Sequence, residues 1–120
     1  MKDYRLGAVE ARFAELIWAN APVPSGELVK LAEKELGWKK STTYTVLKKL
    51  CEKGIAANRD SMVMALVPRE QVQAYASEHF VEQTFAGSLP GFLAAFLGGK
   101  TLSEGEAAQL KALIDQHREG

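Results

Sequence analysis

The sequence is poor in the features that would mark a secreted, membrane-bound or disulfide-bonded protein. It contains one cysteine, Cys51, so neither an intramolecular disulfide nor a metal site built on paired cysteines can form. No apolar run approaches the roughly 20 residues that a transmembrane helix needs, and the first residues lack the apolar segment of a secretory signal. We therefore predict a cytoplasmic protein without a membrane partner.

Common catalytic motifs are missing as well. The sequence has no GxGxxG, P-loop, HExxH or GxSxG pattern, which are arrangements that hold a nucleotide, a zinc ion or a nucleophilic serine. His79 falls on the apolar stripe of a predicted helix, His117 lies near the end of the chain, and Cys51 has no histidine nearby in sequence to activate it. We predict structural or solvated roles for these three side chains, and no catalytic residue, metal or cofactor.

The charge is balanced over the whole chain but unevenly distributed along it. Lys and Arg number 15, as do Asp and Glu, yet the first 60 residues carry a net charge of +3 and the last 60 a net charge of −3. Residues 38–59 contain six basic residues and a single acidic one, Glu52, which we expect to pair with Lys48 or Lys49. The local net charge of +5 indicates a surface that binds an anion.

The N-terminal half has the pattern of three helices followed by a hairpin. Apolar residues at helical spacing, Val9 among them, predict a first helix over residues 6–19, which the proline-containing segment 21–24 ends. A second helix begins with Ser25 as its N-cap and ends at Gly37 as a left-handed cap. A third follows after a short turn and ends at Gly54, and residues 55–58 and 62–67 predict a hairpin. This is the element order of a winged helix-turn-helix, whose third helix enters the major groove of DNA.

From residue 69 to the end the pattern is helical. It predicts a long helix, a short apolar helix that begins at Ser88, and a last helix opened by a capping box of Ser103 and Glu106. The apolar side chains of this region would form a large exposed patch, for which a second copy of the chain is the simplest cover. The predicted dimerisation residues are Phe80, Phe92, Phe96, Leu110 and Leu113.

The third helix has two distinct faces on a helical wheel. Its inner side carries Thr43, Val46, Leu47 and Leu50. Its outer side and flanks carry hydroxyl and ammonium groups, which suit a DNA groove because they bond to base edges and phosphates. The predicted DNA-binding residues are Ser41, Thr42, Tyr44, Thr45, Lys48 and Lys49, with Arg59 on the hairpin. A solvated amphipathic helix gives the same pattern by itself; the helix order, the short turn and the local charge favour DNA.

These elements define the predicted fold class and domains. We expect a mainly α protein with a small β-hairpin, in which a winged helix-turn-helix precedes a helical dimerisation region. The winged-helix DNA-binding domain comprises residues 1–68, and the helical dimerisation domain comprises residues 69–120.

A combination of residues along most of the chain resembles one family of regulators. The matching positions of the first helix are Leu6, Gly7, Glu10, Ala11, Glu15 and Trp18. Those around the third helix are Trp38, Thr42, Thr45, Leu47, Leu50, Lys53 and Gly54, and Pro68 follows the hairpin. Those of the C-terminal helices are Gly87, Ser88, Leu89, Phe96, Leu97, Leu102, Ser103 and Glu106. In this combination, over residues 5–116, the chain resembles the penicillinase-repressor family, which also includes copper-responsive repressors.

The resemblance implies a homodimeric transcriptional repressor that binds palindromic operators through the winged helix and dimerises through the C-terminal helices. Thr42, Thr45 and Lys49 fall where family members have groove-facing threonine and basic residues. Tyr44 and Lys48 lie at positions that vary in the family, so their predicted contact with DNA is supported only by their place on the helical wheel. The hairpin departs from the family, because Ser61 and Met62 stand where members often have Gly-Arg.

The resemblance also bears on regulation. The paired cysteines of the copper-responsive members are absent here, which excludes a metal sensor of that design. In antibiotic-responsive members a protease cuts the bond before a phenylalanine of the dimerisation region, and the equivalent bond is Ala95–Phe96. Members cut there have asparagine where this chain has Ala95, so induction by a regulatory protease stays an open alternative.

A second class of function also fits these features. A winged helix does not by itself dictate DNA binding, and the same fold serves as a protein–protein interaction module. The dependence of affinity on salt concentration distinguishes the two functions. Affinity for DNA falls steeply with ionic strength, whereas the affinity of an apolar protein interface does not.

Overall fold

A computed structural model describes residues 3–119 and contains six helices and a three-stranded sheet within that range. The elements in chain order are α1 (Ala8–Asn20), β1 (Val23–Pro24), α2 (Ser25–Leu36), α3 (Lys40–Glu52), β2 (Ala56–Arg59), β3 (Met62–Ala65), α4 (Arg69–Phe85), α5 (Leu89–Leu97) and α6 (Glu104–Gln116). This order confirms the predicted mainly α fold with a winged helix-turn-helix. One compact unit extends to Phe80 and a second begins at Val81, whereas the functional boundary after residue 68 stays a prediction.

The core of the first unit is made by all of its elements. Buried apolar side chains come from each of the first three helices, from the sheet and from the first turn of α4; the largest of those below 2% exposure are Phe13, Ile17, Leu28, Leu50, Ile55 and Val63. Val9, one of the apolar residues whose spacing predicts the first helix, is 57% exposed in the first turn of α1.

The turn between α2 and α3 is set by glycine and tryptophan. Gly37 has φ +71°, which confirms the predicted left-handed cap, and its N–H donates to the carbonyl of Glu33 at 3.0 Å. Trp38 follows and stacks on Phe13 with ring centroids 5.2 Å apart. The turn is therefore fixed to α1 as well as to the two helices that it joins.

The N-terminus of α2 differs from the prediction. Ser25 is the first helical residue and Pro24 is the cap, so the proposed capping role of Ser25 was wrong. Ser25 is buried, and its backbone N–H donates to the carbonyl of Ser61 at 2.8 Å. That amide is satisfied by the loop between β2 and β3 rather than by a side chain within the helix.

The sheet has the order β1-β3-β2 and is antiparallel. The predicted hairpin is confirmed, since Ala56 pairs with Ala65 and Arg59 with Met62. The segment 21–24 was expected only to break the first helix, yet Val23 pairs with Val63 and forms a short edge strand. Prolines are tolerated at such an edge because one side of the strand needs no donor.

The hairpin turn places two non-glycine residues in the left-handed region. Asp60 has φ +51° and Ser61 has φ +61°. A two-residue turn with both central residues at positive φ matches the right-handed twist of the strands, and Asn-Gly is its preferred sequence. We call the hairpin formed by β2 and β3 the wing. Its tip is therefore strained at Ser61, the second residue of the turn.

The start of α4 is attached to α1. The indole N–H of Trp18 donates to the carbonyl of Val67 at 3.0 Å. Arg69 donates from Nε to both carboxylate oxygens of Glu15, at 3.0 and 2.9 Å. Val72 is buried in the core of the first unit, so the first turns of α4 are part of that unit.

The second unit has capped helices and no fully buried side chain in them. Ser88 accepts a hydrogen bond from the N–H of Gly91 at 2.9 Å, and Ser103 accepts one from the N–H of Glu106 at 3.1 Å. The latter is the forward bond of the predicted capping box. Neither α5 nor α6 contains a buried residue among those described, so this unit lacks the interior that a stable domain needs.

We expect Ser61→Gly to stabilise the protein by about 0.5 to 1 kcal/mol, since glycine relieves the left-handed strain at a small entropic cost in the unfolded chain. Ser61→Val should destabilise it, because β-branched residues tolerate positive φ least. The midpoint of urea unfolding, at an unchanged slope, measures both effects. Equal midpoints for the two variants would contradict a strained turn.

Candidate nucleic-acid interface

Helix α3 buries one face and exposes the other, as the wheel predicts. Thr43, Val46, Leu47 and Leu50 are all buried. The hydroxyl of Thr43 is satisfied by donating to the carbonyl of Lys39 at 3.1 Å, which removes the cost of placing it in the core. Because this face is fixed in the core, the opposite face of α3 must point to solvent.

The exposed face brings together most of the predicted DNA-binding residues. Ser41, Thr42, Thr45, Lys48 and Lys49 are all exposed on α3. The hydroxyl of Thr45 donates to the carbonyl of Ser41 at 2.9 Å. Its lone pairs and its methyl group are left available for an outside contact.

The exposed lysines of this region are free of ion pairs. Within residues 3–119, Lys39, Lys40, Lys48 and Lys49 take part in no salt bridge. Glu52 also forms none there, so the expected pairing with Lys48 or Lys49 was wrong. We call these four lysines together with Ser41, Thr42 and Thr45 the α3 face; it presents positive charge that no neighbouring carboxylate of the described chain neutralises by direct contact.

Tyr44 and Arg59 lie apart from the α3 face. Tyr44 is half-buried, and its hydroxyl donates to Oγ of Ser25 at 3.2 Å, so the side chain is directed toward α2. Arg59 is exposed at the end of β2, next to Asp60 in the hairpin turn. The wing therefore adds one basic side chain beside an acidic one.

Lys53 was counted in the basic segment, but the structure directs it inward. Its Nζ donates to the backbone carbonyl of Arg5 and to Oε1 of Glu10 at 3.3 Å, and lies 3.2 Å from Oε2 of Glu10. The side chains of Lys53 and Glu10 are 29% and 20% exposed. Sequence reasoning missed this pair because the partners are 43 residues apart; Gly54, which ends α3, is the local signal that the chain reverses there.

The electrostatics around Glu10 favour its ionised form. Burial of the carboxyl tends to raise its pKa, but the N–H of Gly7, the Lys53 ammonium and the charge of Lys49 outweigh this, and the pKa of Glu10 is lowered. Oε1 of Glu10 accepts from the N–H of Gly7 at 3.0 Å. The Glu10–Lys53 pair is thus a charged, hydrogen-bonded pair at ordinary pH.

The predicted dimerisation residues differ in exposure. Phe80, Phe96 and Leu113 are 49%, 55% and 53% exposed, while Phe92 and Leu110 are half-buried. Within the second unit, Phe92 packs against Phe96 with centroids 5.9 Å apart. The bond Ala95–Phe96 lies inside α5, and both residues are exposed.

The remaining candidate side chains are Cys51, His79 and His117. Cys51 is half-buried, and burial raises the pKa of its thiol. His79 is within 3.3 Å of the Arg5 guanidinium, and His117 is exposed. Throughout residues 3–119, no three His, Cys, Asp or Glu side chains group to hold a metal ion. The helices in this part of the chain are all too short or too polar to cross a membrane.

The three-helix core, the wing and the basic, hydroxyl-bearing outer face of α3 define a winged helix-turn-helix protein. The family model described as "Penicillinase repressor" matches residues 6–116. The chain belongs to this family of DNA-binding transcriptional repressors, which is not a family of enzymes.

Two curated relatives are similar over nearly their whole length. The chain is 19% identical over 119 residues to the methicillin resistance regulatory protein MecI of Staphylococcus aureus (strain N315), covering 96% of this chain and 97% of the relative. It is 23% identical over 118 residues to the penicillinase repressor of Bacillus licheniformis, covering 95% of this chain and 92% of the relative.

Proposed function

We propose that this chain is a cytoplasmic, homodimeric repressor that occupies a palindromic operator through the α3 face. The observation that carries the proposal is the set of exposed lysines on α3, which form no ion pair within residues 3–119 while the opposite face is fixed in the core. Such lysines displace the counterions condensed on DNA phosphates. The repressor then acts by occluding the promoter from other proteins.

The chemistry of the α3 face supports a division of labour between its residues. Lys48 and Lys49 would contact phosphates, which fixes the register of the helix. Ser41, Thr42 and Thr45 would reach base edges, because hydroxyls bond to bases and the threonine methyl packs on the methyl of thymine. Tyr44, already bonded to Ser25, would contribute by supporting the helix from its flank, and Arg59 would add one phosphate contact from the wing.

We expect Lys48→Met and Lys49→Met each to weaken DNA binding and to reduce the salt slope of log K by about 0.9, the loss of one phosphate contact. The measurement is a titration of a duplex that the wild-type chain selects from random DNA, at several salt concentrations. Lys111→Met, an exposed substitution on α6, is the matched control and should leave the slope unchanged.

An unchanged slope in both α3 variants would place the lysines outside the interface. A wild-type chain that selects no DNA and binds a protein with little salt dependence would instead favour the protein–protein interaction module, the alternative role of this fold.

The exposed apolar side chains of the second unit support dimerisation. Among the described residues of that unit, 81–119, five large apolar side chains are more than a third exposed: Leu89, Phe96, Leu102, Leu113 and Ile114. Covering them with a second copy in C2 symmetry would bury the same residues on both chains. Two copies of α3 related by that axis would read a palindrome whose half-sites lie roughly 34–36 Å apart, or a multiple of that spacing.

We expect Phe96→Asp to convert the dimer into a monomer, since the new carboxylate would be buried without a partner at the apolar interface. Phe96→Leu is the matched control and should remain dimeric. Sedimentation at micromolar concentration measures the effect. A monomeric wild type with intact affinity for two half-sites would contradict the proposed dimer.

Proteolysis at Ala95–Phe96 is a proposed route of induction. A cut there would remove α6 and the end of α5, and so separate the winged helix from three of its predicted dimerisation residues, Phe96, Leu110 and Leu113. Loss of the tethered partner should reduce operator avidity about 10²- to 10⁴-fold. Mass spectrometry of the chain from induced cells should show a fragment ending at Ala95. An intact chain in cells where the operator has been released would show that a ligand or another partner induces instead.

A further inference from the structure

Lys53 directly follows the last residue of α3, the recognition helix of the proposed repressor. The simplest role for a lysine at this position would be a contact with a DNA phosphate. Its donors are instead used within the chain, on the carbonyl of Arg5 and on Oε1 of Glu10. Both carboxylate oxygens of Glu10 are within 3.3 Å of Nζ. With its side chain only 29% exposed, this ammonium is not presented to a ligand in the way that Lys48 and Lys49 are.

The backbone directs Lys53 to that position. The N–H of Ile55 donates to the carbonyl of Leu50, and Gly54 has φ +78°, so the chain leaves α3 through a tight left-handed turn. The turn returns Ile55 to the core. Lys53, just before the turn, is thereby placed against the N-terminal end of α1.

The two groups that bind Lys53, the carboxylate of Glu10 and the carbonyl of Arg5, lie in a segment that makes further contacts with α1 and α4. Glu10 accepts from the N–H of Gly7, which fixes its carboxylate at the start of α1. The guanidinium of Arg5 is hydrogen-bonded to Asp3 and lies 3.3 Å from Nε2 of His79 on α4. The neighbouring Tyr4 packs edge-on against Tyr75, also on α4. The segment 3–7 is therefore attached to α1 and α4, and provides a fixed anchor for the end of α3.

We propose that Lys53 and Glu10 form a positioning pair, which holds the C-terminal end of the recognition helix against α1 and does not contact DNA. This inference rests on the proposed function of α3. The pair fixes one end of the helix, while the turn at Gly37 and Trp38 fixes the other. The orientation of the α3 face relative to the core then depends on both ends.

Glu10→Gln separates positioning from charge, because the two effects have opposite signs. Removing an acidic charge near DNA should raise affinity by simple electrostatics. If Glu10 positions the helix, its loss should lower affinity about 2- to 30-fold, the range over which residues without ligand contact modulate binding. Glu52→Gln, at the exposed end of the same helix, is the matched control and should not lower affinity.

Lys53→Met provides a second variant. It should lower the affinity for the selected duplex and leave the salt slope unchanged, whereas Lys48→Met reduces that slope. Amide exchange in the last turn of α3 should be faster in Lys53→Met than in Lys48→Met, because the end of the helix loses its anchor. Circular dichroism establishes that each variant is folded.

Three results would overturn the proposal: a salt slope that falls in Lys53→Met, unchanged affinity in both Lys53→Met and Glu10→Gln, or a higher affinity in Glu10→Gln. A wild-type chain that binds no DNA would contradict the proposed function instead. In that case amide exchange alone tests the anchoring of α3, and equal exchange in Lys53→Met and Lys48→Met would refute it.

Discussion

The amphipathic character of α3 is the constraint on which the rest of the structure depends. One face must be buried, because Val46, Leu47 and Leu50 would otherwise expose apolar surface at about 25 cal/mol per Å². The elements that pack against this helix are α1, α2 and β2. The same packing fixes the direction of the hydroxyl and ammonium groups on the opposite face. The core and the candidate interface are thus two sides of a single helix.

The wing and the N-terminal segment are each attached to a helix of the three-helix core. The wing is tied to the start of α2 through the hydrogen bond between the Ser25 amide and the Ser61 carbonyl. The N-terminal segment reaches the end of α3 through Lys53. These contacts involve few side chains, but each satisfies polar groups at the boundary of an element, where an unpaired group is costly. In the proposed repressor, the orientation of α3 would therefore depend on contacts from several parts of the first unit.

The helices of the second unit are capped but enclose no core of their own among the described residues. Its helices are capped locally by Ser88 and Ser103, so their formation is favoured, but α5 and α6 enclose no buried side chain among those described. In the proposed dimer, association would stabilise this unit, and an operator contact made by one copy would raise the effective concentration of the other. Dimerisation and DNA binding would therefore be linked in free energy in the proposed repressor, and a change in the second unit would alter occupancy at the first.

The sequence by itself determined the features that depend on local periodicity and backbone preference: the helices, the left-handed cap at Gly37, the hairpin, and the buried and exposed faces of α3. Family membership was also visible, because its signal is spread over most of the chain. Tertiary structure decided where individual side chains are used. The strand at Val23, the bond of Tyr44 to Ser25 and the inward direction of Lys53 each join residues that are 19 to 48 positions apart. Composition and spacing carry no information about such partners, since the packing of the core brings them together.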